Sequence, residues 1–162
     1  MATQRARAPR IDERWGELAD RVLVIAREIQ FRGYQDERAV SLSQSEGMVM
    51  RYLIEQGDAA PSRIATATGL QRTNLSTVLR GLQEKGLIER RAQPADGRGV
   101  AVVITKRGRD NYRLVRQEWA TEMFEAAGAD ATGLLSTIEL LRAIEAGLVT
   151  SRPGIAAPRP GV

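Results

Sequence analysis

The chain of 162 residues contains no cysteine and no histidine. Their absence excludes disulfides, thiolate nucleophiles, imidazole general bases and the usual zinc and copper sites. The sequence also has no phosphate-binding glycine loop and no recognisable pair of catalytic carboxylates. We therefore expect neither a metal, nor a cofactor, nor enzymatic activity.

The sequence also lacks any run of 18 or more apolar residues, the length that indicates a membrane-spanning helix. Its first ten residues carry three arginines and no acid, and they lack the apolar stretch of a secretory signal. We expect residues 1–10 to be a disordered basic arm of a soluble, cytoplasmic protein. Apolar residues make up 43% of the chain, which is enough for the core of one domain.

The positive charge is concentrated in the middle of the chain. Residues 62–109 include ten basic and three acidic side chains, whereas residues 11–61 include six basic and ten acidic ones, and residues 110–150 three and seven. Neutralising the phosphates of a nucleic acid requires such a basic block. Charge alone leaves a second possibility open, a module that binds an acidic protein instead of DNA.

Hydrophobic periodicity and end signals predict six helices and one hairpin. Ser43 followed by Glu46 predicts a capping box at the start of the second helix, Pro61 suits the first turn of the third, and Thr105 is expected to cap the fifth. The predicted helices are 12–36, 43–56, 61–69, 71–85, 106–127 and 131–148, and Asp130 lies near the start of the last one. The predicted strands are 87–91 and 100–104.

This order of elements predicts a mainly α fold with a small β-hairpin wing, a winged helix-turn-helix flanked by N-terminal and C-terminal dimerisation helices. The three helices outside the winged unit are amphipathic, and a second copy of the chain is the simplest surface that could bury them. A monomer whose terminal helices fold over its own core is the alternative. Residues 151–162, with three prolines and two glycines, are expected to be a flexible tail.

The fourth predicted helix is the candidate recognition helix. It has an apolar stripe, and its opposite face carries short hydroxyl side chains and arginines. Hydroxyls can reach phosphates or base edges, and arginine can pair with guanine in the major groove. An ordinary amphipathic helix with a solvated polar face is the alternative. The candidate DNA contacts at this helix are Gln71, Arg72, Thr73, Ser76, Thr77 and Arg80.

The tip of the predicted hairpin presents Arg98 between two glycines. A guanidinium on so slim a tip can enter a minor groove. Asp96, two residues earlier, either orients Arg98 through an ion pair or caps the turn. Arg90 and Arg91 lie on the first strand, where one of them must face away from the core. We take Arg90 as a candidate contact to the DNA backbone, with mere solubilisation as the alternative.

Five segments together resemble the MarR family of bacterial regulators. They occur with the family's order and spacing, and the resemblance extends over about residues 12–148. The segments are LSQSE at 42–46, PSRIA at 61–65, LQEKGLIER at 82–90, PADGR at 94–98 and ITKRG at 104–108.

The resemblance implies one MarR-type domain over residues 11–150, with the winged helix-turn-helix at about 41–105 and dimerisation helices at about 12–37 and 106–148. It implies a homodimer acting on double-stranded DNA at a pseudo-palindromic operator, most often as a repressor. The recognition helix would lie at about 71–85, and the wing tip at Asp96 and Arg98.

Four residues depart from the family's common pattern. Gly97 stands where a second arginine is frequent, and Gly99 follows Arg98, so the wing is expected to be more flexible and to bind DNA less tightly. Ala59 and Ala60 replace larger or capping residues before the helix at Pro61. These departures are not expected to threaten the fold.

The resemblance further implies that a small aromatic or phenolic effector can release the regulator from DNA. The candidate pocket residues are Trp15, Phe31, Tyr34 and Trp119, with a place in the core or in the dimer interface as the alternative. The missing cysteine rules out thiol-based peroxide sensing, and the missing histidine argues against zinc sensing.

Overall fold

The computed structural model describes residues 11–93 and 99–152. These residues form six helices and a two-stranded antiparallel hairpin, so the predicted fold class is confirmed. The predicted basic arm at 1–10, the hairpin tip with Asp96 and Arg98, and residues 153–162 lie outside the described residues. The elements are α1 (Arg14–Arg32), α2 (Gln44–Gln56), α3 (Pro61–Thr68), α4 (Arg72–Glu84), β1 (Ile88–Gln93), β2 (Gly99–Ile104), α5 (Lys106–Ala126) and α6 (Leu134–Thr150).

The chain divides into two compact units, of which the first ends at Gly33 and contains α1. The carboxylate of Asp12 accepts a hydrogen bond from the backbone N–H of Arg14 at 3.0 Å, just where α1 begins. Gly33 ends the helix with a φ of +69°. Because of these two end signals, α1 is shorter than the predicted helix 12–36. No residue of α1 is buried, and Phe31 is 85% exposed.

The second unit contains all other elements, and its helix α2 is capped as predicted. The Ser43 hydroxyl accepts a hydrogen bond from the backbone N–H of Glu46 at 3.2 Å, and the Glu46 carboxylate accepts one from the backbone N–H of Ser43 at 2.8 Å. The same carboxylate lies 2.6 Å from the Lys85 ammonium, which also donates to the Ser41 carbonyl. Since Glu46 is only 7% exposed, this ion pair ties the start of α2 to the end of α4.

Helices α3 and α4 form the helix-turn-helix. Pro61 occupies the first turn of α3, as predicted. Gly69 ends α3 in the left-handed conformation, with a φ of +73° that glycine adopts without strain, and its N–H donates to the Ala65 carbonyl. The core beneath them is built mainly from Val49, Met50, Leu53, Ile64, Leu75, Leu79, Leu82, Leu87 and Val102.

The hairpin forms the wing, with Ile88 opposite Ile104 at its base. Strand β1 begins and ends later than the predicted 87–91. Ala59, before α3, makes a further antiparallel bridge to β2, because its N–H donates to the Val102 carbonyl at 3.2 Å and its carbonyl accepts from the Val102 N–H at 2.8 Å. Ala59, one of the residues that depart from the family's common pattern, is 5% exposed. It therefore occupies a buried position whose backbone pairs with β2.

Helix α5 begins against the hairpin. Thr105 caps it as predicted, since the Thr105 hydroxyl accepts from the backbone N–H of Gly108 at 2.9 Å and donates to the Gly86 carbonyl at 2.8 Å. A Cβ atom built on Gly108 would lie 2.1 Å from the carbonyl oxygen of Leu87. This close approach of two backbones therefore requires glycine.

Helix α6 begins at Leu134, later than the predicted residue 131. The Asp130 carboxylate accepts from the Thr132 N–H at 2.8 Å, and Gly133 has a φ of +77°, so Asp130 closes a turn before the helix instead of capping it. No residue of α6 is buried, and its most exposed leucines are Leu134, Leu135 and Leu148. Over the part of the chain that the structure describes, no helix has the length and apolarity needed to cross a membrane.

The predicted tail starts with two residues that contact the folded chain. The Ser151 hydroxyl donates to the Gly147 carbonyl at 2.8 Å, and Nη1 of Arg152 donates to the Ala67 carbonyl at 2.9 Å. The prediction of a loose tail from residue 151 onward did not anticipate these contacts.

Candidate nucleic-acid interface

Helix α4 presents an apolar face to the core and a polar face to solvent. Its buried residues are Leu75, Leu79 and Leu82. The exposed residues among the predicted DNA contacts are Gln71, Arg72, Thr73, Ser76, Thr77 and Arg80. Spacings of three and four residues align Thr73, Thr77 and Arg80 along the side opposite the core. Their placement agrees with the predicted recognition helix, while their contacts to DNA stay a prediction.

Two hydroxyls on this polar face are turned back onto the helix. The Ser76 hydroxyl donates to the Arg72 carbonyl at 3.0 Å, and the Thr77 hydroxyl donates to the Thr73 carbonyl at 3.4 Å. A hydroxyl that uses its proton in this way still offers its oxygen lone pairs. In this arrangement the oxygens of Ser76 and Thr77 can still accept hydrogen bonds.

The N-terminal end of α4 is exposed. Gln71 occupies the N-cap position in an extended conformation, and its side chain makes no capping hydrogen bond to the described residues. The backbone N–H groups of a first helical turn, together with the helix dipole, favour a negatively charged group such as a phosphate. Gln71 and Arg72 both lie at this end and are exposed.

Sequence reasoning missed Asn74, which is exposed in the first turn of α4. Asn74 lies four residues before the partly buried Val78, and so on the border of the polar face rather than at its centre. Its side-chain amide is a group that can pair with adenine in the major groove.

On the wing, Arg90 and Arg91 are both exposed. Since successive side chains of a strand point to opposite faces, the two arginines lie on different sides of β1. Arg91 forms an ion pair with Glu89 on its own side, whereas Arg90 lies opposite Val102 in the register. Asp96 and Arg98 fall outside the described residues, so the predicted tip contact is a sequence-based prediction only.

Some cations of the basic block are ion-paired and others are not. Within residues 11–93 and 99–152, no ion pair involves Arg72, Arg80 or Arg90. Lys85 and Arg91, by contrast, are paired with carboxylates. Of these cations, Lys85 joins two helices through the buried Glu46, whereas the pair of Arg91 with Glu89 lies at the surface.

The four aromatic candidates for effector binding are distributed over both compact units. Trp15 and Phe31 lie on α1 and are 50% and 85% exposed. Tyr34 and Trp119 belong to the second unit and are partly buried. Burial raises the pKa of the Tyr34 phenol, and nearby carboxylate charges act in the same direction. Their role in a ligand pocket stays a prediction.

A cleft of about 490 Å³ in the second unit has an acidic lining. The Glu118 carboxylate accepts from the Asp36 N–H at 2.6 Å, and the Arg38 guanidinium lowers the pKa of Asp36 to about 2. Among the described residues, the second carboxylate oxygens of Glu118 and Glu122 are buried without a hydrogen-bond partner. The same residues include no group of three metal-ligating side chains suited to a metal ion.

A second cleft, of about 300 Å³, has a different chemistry. It places the guanidinium-bearing Arg38 and Arg107 beside the apolar side chains of Val40 and Leu114. Neither this cleft nor the acidic one is lined by any of the four aromatic candidates.

Comparison with known proteins gives a family match over the winged unit. A family model described as the MarR family matches residues 40–99. The HTH-type transcriptional regulator ML2140 of Mycobacterium leprae is 29% identical over 122 residues, which are 74% of this chain and 82% of that protein. The HTH-type transcriptional regulator YxaD of Bacillus subtilis is 30% identical over 104 residues, which are 57% of this chain and 73% of that protein.

A solved structure has the same fold. BpsR of Bordetella bronchiseptica, whose DNA binding is regulated by 6-hydroxynicotinic acid, matches with a TM-score of 0.60 at 22% identity, over 82% of this chain and 99% of that chain. At this level of identity the likeness concerns the fold alone. The comparisons agree with the resemblance carried by the five sequence segments.

Proposed function

This chain belongs to the MarR family of DNA-binding transcriptional regulators, and from that premise we propose that it represses transcription as a homodimer on a pseudo-palindromic operator. The observation that carries the proposal is the exposed polar face of α4. On this face Arg72 and Arg80 form no ion pair with any described residue, and they lie beside hydroxyls whose oxygens can accept hydrogen bonds. The regulator acts in the cytoplasm, and the relatives named above are regulators rather than enzymes.

In the proposed complex, α4 enters the major groove. Arg80 and Arg72 pair with guanine or with phosphate, and Thr73, Ser76 and Thr77 face base edges. The first turn of α4, with Gln71, approaches a phosphate. The wing follows the DNA backbone with Arg90 and places Arg98, oriented by Asp96, in the adjacent minor groove.

The homodimer is proposed from the apolar surface of the helices outside the winged unit. α1 and α6 contain no buried residue, although both are rich in large apolar side chains. In α6, Leu134 is 53% exposed, Leu141 37% and Leu148 65%, at a spacing of seven residues that keeps them near one face. Two-fold association of these helices removes apolar surface from water and presents two recognition helices about 34–36 Å apart.

We also propose that a small aromatic acid releases this dimer from DNA. The regulation of BpsR DNA binding by 6-hydroxynicotinic acid supports this ligand class. The smaller cleft can take an aromatic carboxylate, since Arg107 can pair with the carboxylate while Val40 and Leu114 contact the ring. Arg38 in the same cleft is already paired with Asp36, and Asp110 adds a negative charge to the lining. The aromatic candidates Trp15, Phe31, Tyr34 and Trp119 remain proposed ligand or interface contacts.

Selection of bound duplexes from a random pool tests the DNA-binding proposal. We expect an inverted repeat, steep weakening of binding with salt, and a dimer by light scattering. Leu148→Glu should produce monomers and abolish binding to the full repeat, whereas Arg142→Glu, which places the same side chain at an exposed site of the same helix, should not. A monomeric wild-type protein, or binding without sequence preference, would contradict the proposal.

Two further measurements test the residue and effector assignments. Arg80→Ala and Arg98→Ala should each weaken operator binding about tenfold or more without changing the oligomeric state. Adding 6-hydroxynicotinic acid or a related hydroxybenzoate should raise the Kd for the operator, and Arg107→Ala should reduce that shift. If no aromatic acid changes the Kd, the effector part of the proposal fails while the DNA-binding part stands.

A further inference from the structure

The first residue after the α6 C-cap contacts the turn of the helix-turn-helix. Nη1 of Arg152 donates to the Ala67 carbonyl at 2.9 Å, across 85 residues of sequence. A Cβ atom built on Gly69 would lie 2.8 Å from this Nη1 and 3.1 Å from the Arg152 Cζ. The guanidinium therefore lies directly on the turn between α3 and α4, at a position that a side chain on residue 69 would occupy.

This contact has a physical basis in the end of α3. The last carbonyl groups of a helix have no partner within the helix, and they carry the negative end of its dipole. A guanidinium donating to one of them makes a charge-assisted hydrogen bond. Because Gly69 has no side chain, the planar guanidinium can approach the turn closely.

A second polar contact holds α6 to the same winged unit. The Arg51 guanidinium on α2 lies 2.9 Å from the Glu145 carboxylate on α6. Glu145 and Arg152 are seven residues apart, which corresponds to about 10 Å along a helix. Two charged contacts about two turns apart fix the orientation of a helix better than one contact does, and none of the residues of α6 is itself buried.

We propose that Arg152 is a positioning residue that holds the turn before α4, and so the recognition helix, at a set distance from α6. This inference rests on the proposed function, because the distance matters only when α6 belongs to the dimer interface. In a dimer joined through α6, the distance from α6 to α4 sets the separation of the two recognition helices. Arg152 thus determines which half-site spacing the dimer accepts.

The test compares the spacing preference of wild-type protein with that of Arg152→Ala and Arg152→Lys. Arg142→Ala, which removes an exposed arginine from α6, is the matched control. The probes are duplexes carrying the selected half-sites as inverted repeats, with the centre-to-centre spacing varied in single base-pair steps. A duplex with a single half-site reports the affinity of α4 itself.

We expect the wild-type protein and Arg142→Ala to prefer one spacing. In Arg152→Ala the ratio of the affinity at the preferred spacing to that at other spacings should fall about tenfold, while the affinity for a single half-site is kept. Arg152→Lys, which can still donate to the Ala67 carbonyl, should retain most of this ratio. Amide hydrogen exchange at Gly69 and Leu70 should become faster in Arg152→Ala, with no change at Leu53 in α2. These results together support the positioning role.

Other outcomes overturn the inference. An unchanged spacing profile in Arg152→Ala, or an equal loss of affinity on every duplex including the single half-site, would show that Arg152 does not set the spacing. If Arg152→Ala unfolds, the inference is decided by Arg152→Met, which keeps a long side chain but cannot donate to the Ala67 carbonyl, and whose spacing preference must then fall below that of Arg152→Lys. The proposed function itself is refuted if the wild-type protein is monomeric or binds all spacings equally. That result is obtained before any variant is measured.

Discussion

The side-chain amide of Asn111 pairs with both backbone polar groups of Val40. Its Oδ1 accepts from the Val40 N–H at 2.7 Å, and its Nδ2 donates to the Val40 carbonyl at 3.1 Å. Asn111 lies on α5 and is 5% exposed, whereas Val40 precedes α2 by four residues. One side chain thus satisfies both backbone hydrogen-bonding groups of a residue that lies outside any strand. It connects α5 to the segment that leads into α2.

Replacing this amide by an apolar side chain should destabilise the fold. Asn111→Leu leaves the N–H and the carbonyl of Val40 without their partner, so we expect the free energy of unfolding in urea to fall by about 2–4 kcal/mol. Asn74→Leu, the same change at an exposed site of α4, should alter it by only about 0.5 kcal/mol. Equal effects of the two substitutions would show that the double hydrogen bond contributes little.

Two glycines inside helices should respond in opposite ways to alanine. At Gly108 a Cβ atom would lie 2.1 Å from the Leu87 carbonyl oxygen, so Gly108→Ala must displace α5 from the hairpin. We expect a loss of about 2–3 kcal/mol in the free energy of unfolding. At Gly47 in α2 nothing lies within 4 Å of the added atom, so Gly47→Ala should stabilise the protein by about 0.5–1 kcal/mol. Thermal and urea unfolding of both variants would decide between these signs, and a tolerated Gly108→Ala would contradict the close approach.

Local signals explain most of what the sequence could predict. The capping box of Ser43 and Glu46, the first-turn Pro61 and the cap at Thr105 depend on residues within three positions of each other, and all three are present. The exposed face of α4 was predictable for the same reason, because its apolar stripe repeats within one helix. The predicted helix ends were wrong by a few residues where a glycine with positive φ bounds the helix, as Gly33 and Gly133 do.

Contacts between distant residues were not predictable from the pattern. Asn111 meets Val40 across 71 residues, and Arg152 meets Ala67 across 85. Neither asparagine nor arginine differs in its local sequence from an exposed polar residue, so nothing marked either as a partner of a backbone carbonyl. The direction of the Ser76 and Thr77 hydroxyls is likewise a property of the folded helix, although the presence of hydroxyls was evident beforehand.

The stability of the protein should fall at alkaline pH because of Tyr112. Burial is the main cause that raises the pKa of the Tyr112 phenol above its ordinary value of 10.0. Above pH 10 the unfolded chain loses this proton more readily than the folded one, so the folded state binds more protons and the free energy of unfolding decreases as pH rises. Tyr112→Phe removes the phenol, and the decrease between pH 8 and pH 11 in urea unfolding should be smaller than in the wild type. Identical decreases would show that Tyr112 does not contribute.

The acceptor role of the α4 hydroxyls can be tested with an isosteric change. Thr77→Val replaces the hydroxyl by a methyl group and removes the lone pairs that remain after its bond to the Thr73 carbonyl. Thr66 on α3 is a matched control, because it is also exposed and its hydroxyl also donates to a carbonyl four residues earlier, that of Ser62. We expect Thr77→Val to weaken binding to the selected operator about fivefold, and to flatten the base preference at one position of each half-site, since a base amino group loses its acceptor. Thr66→Val should leave that preference intact. A Thr77→Val protein that selects the same operator as the wild type would mean that Thr77 faces the groove without accepting from a base.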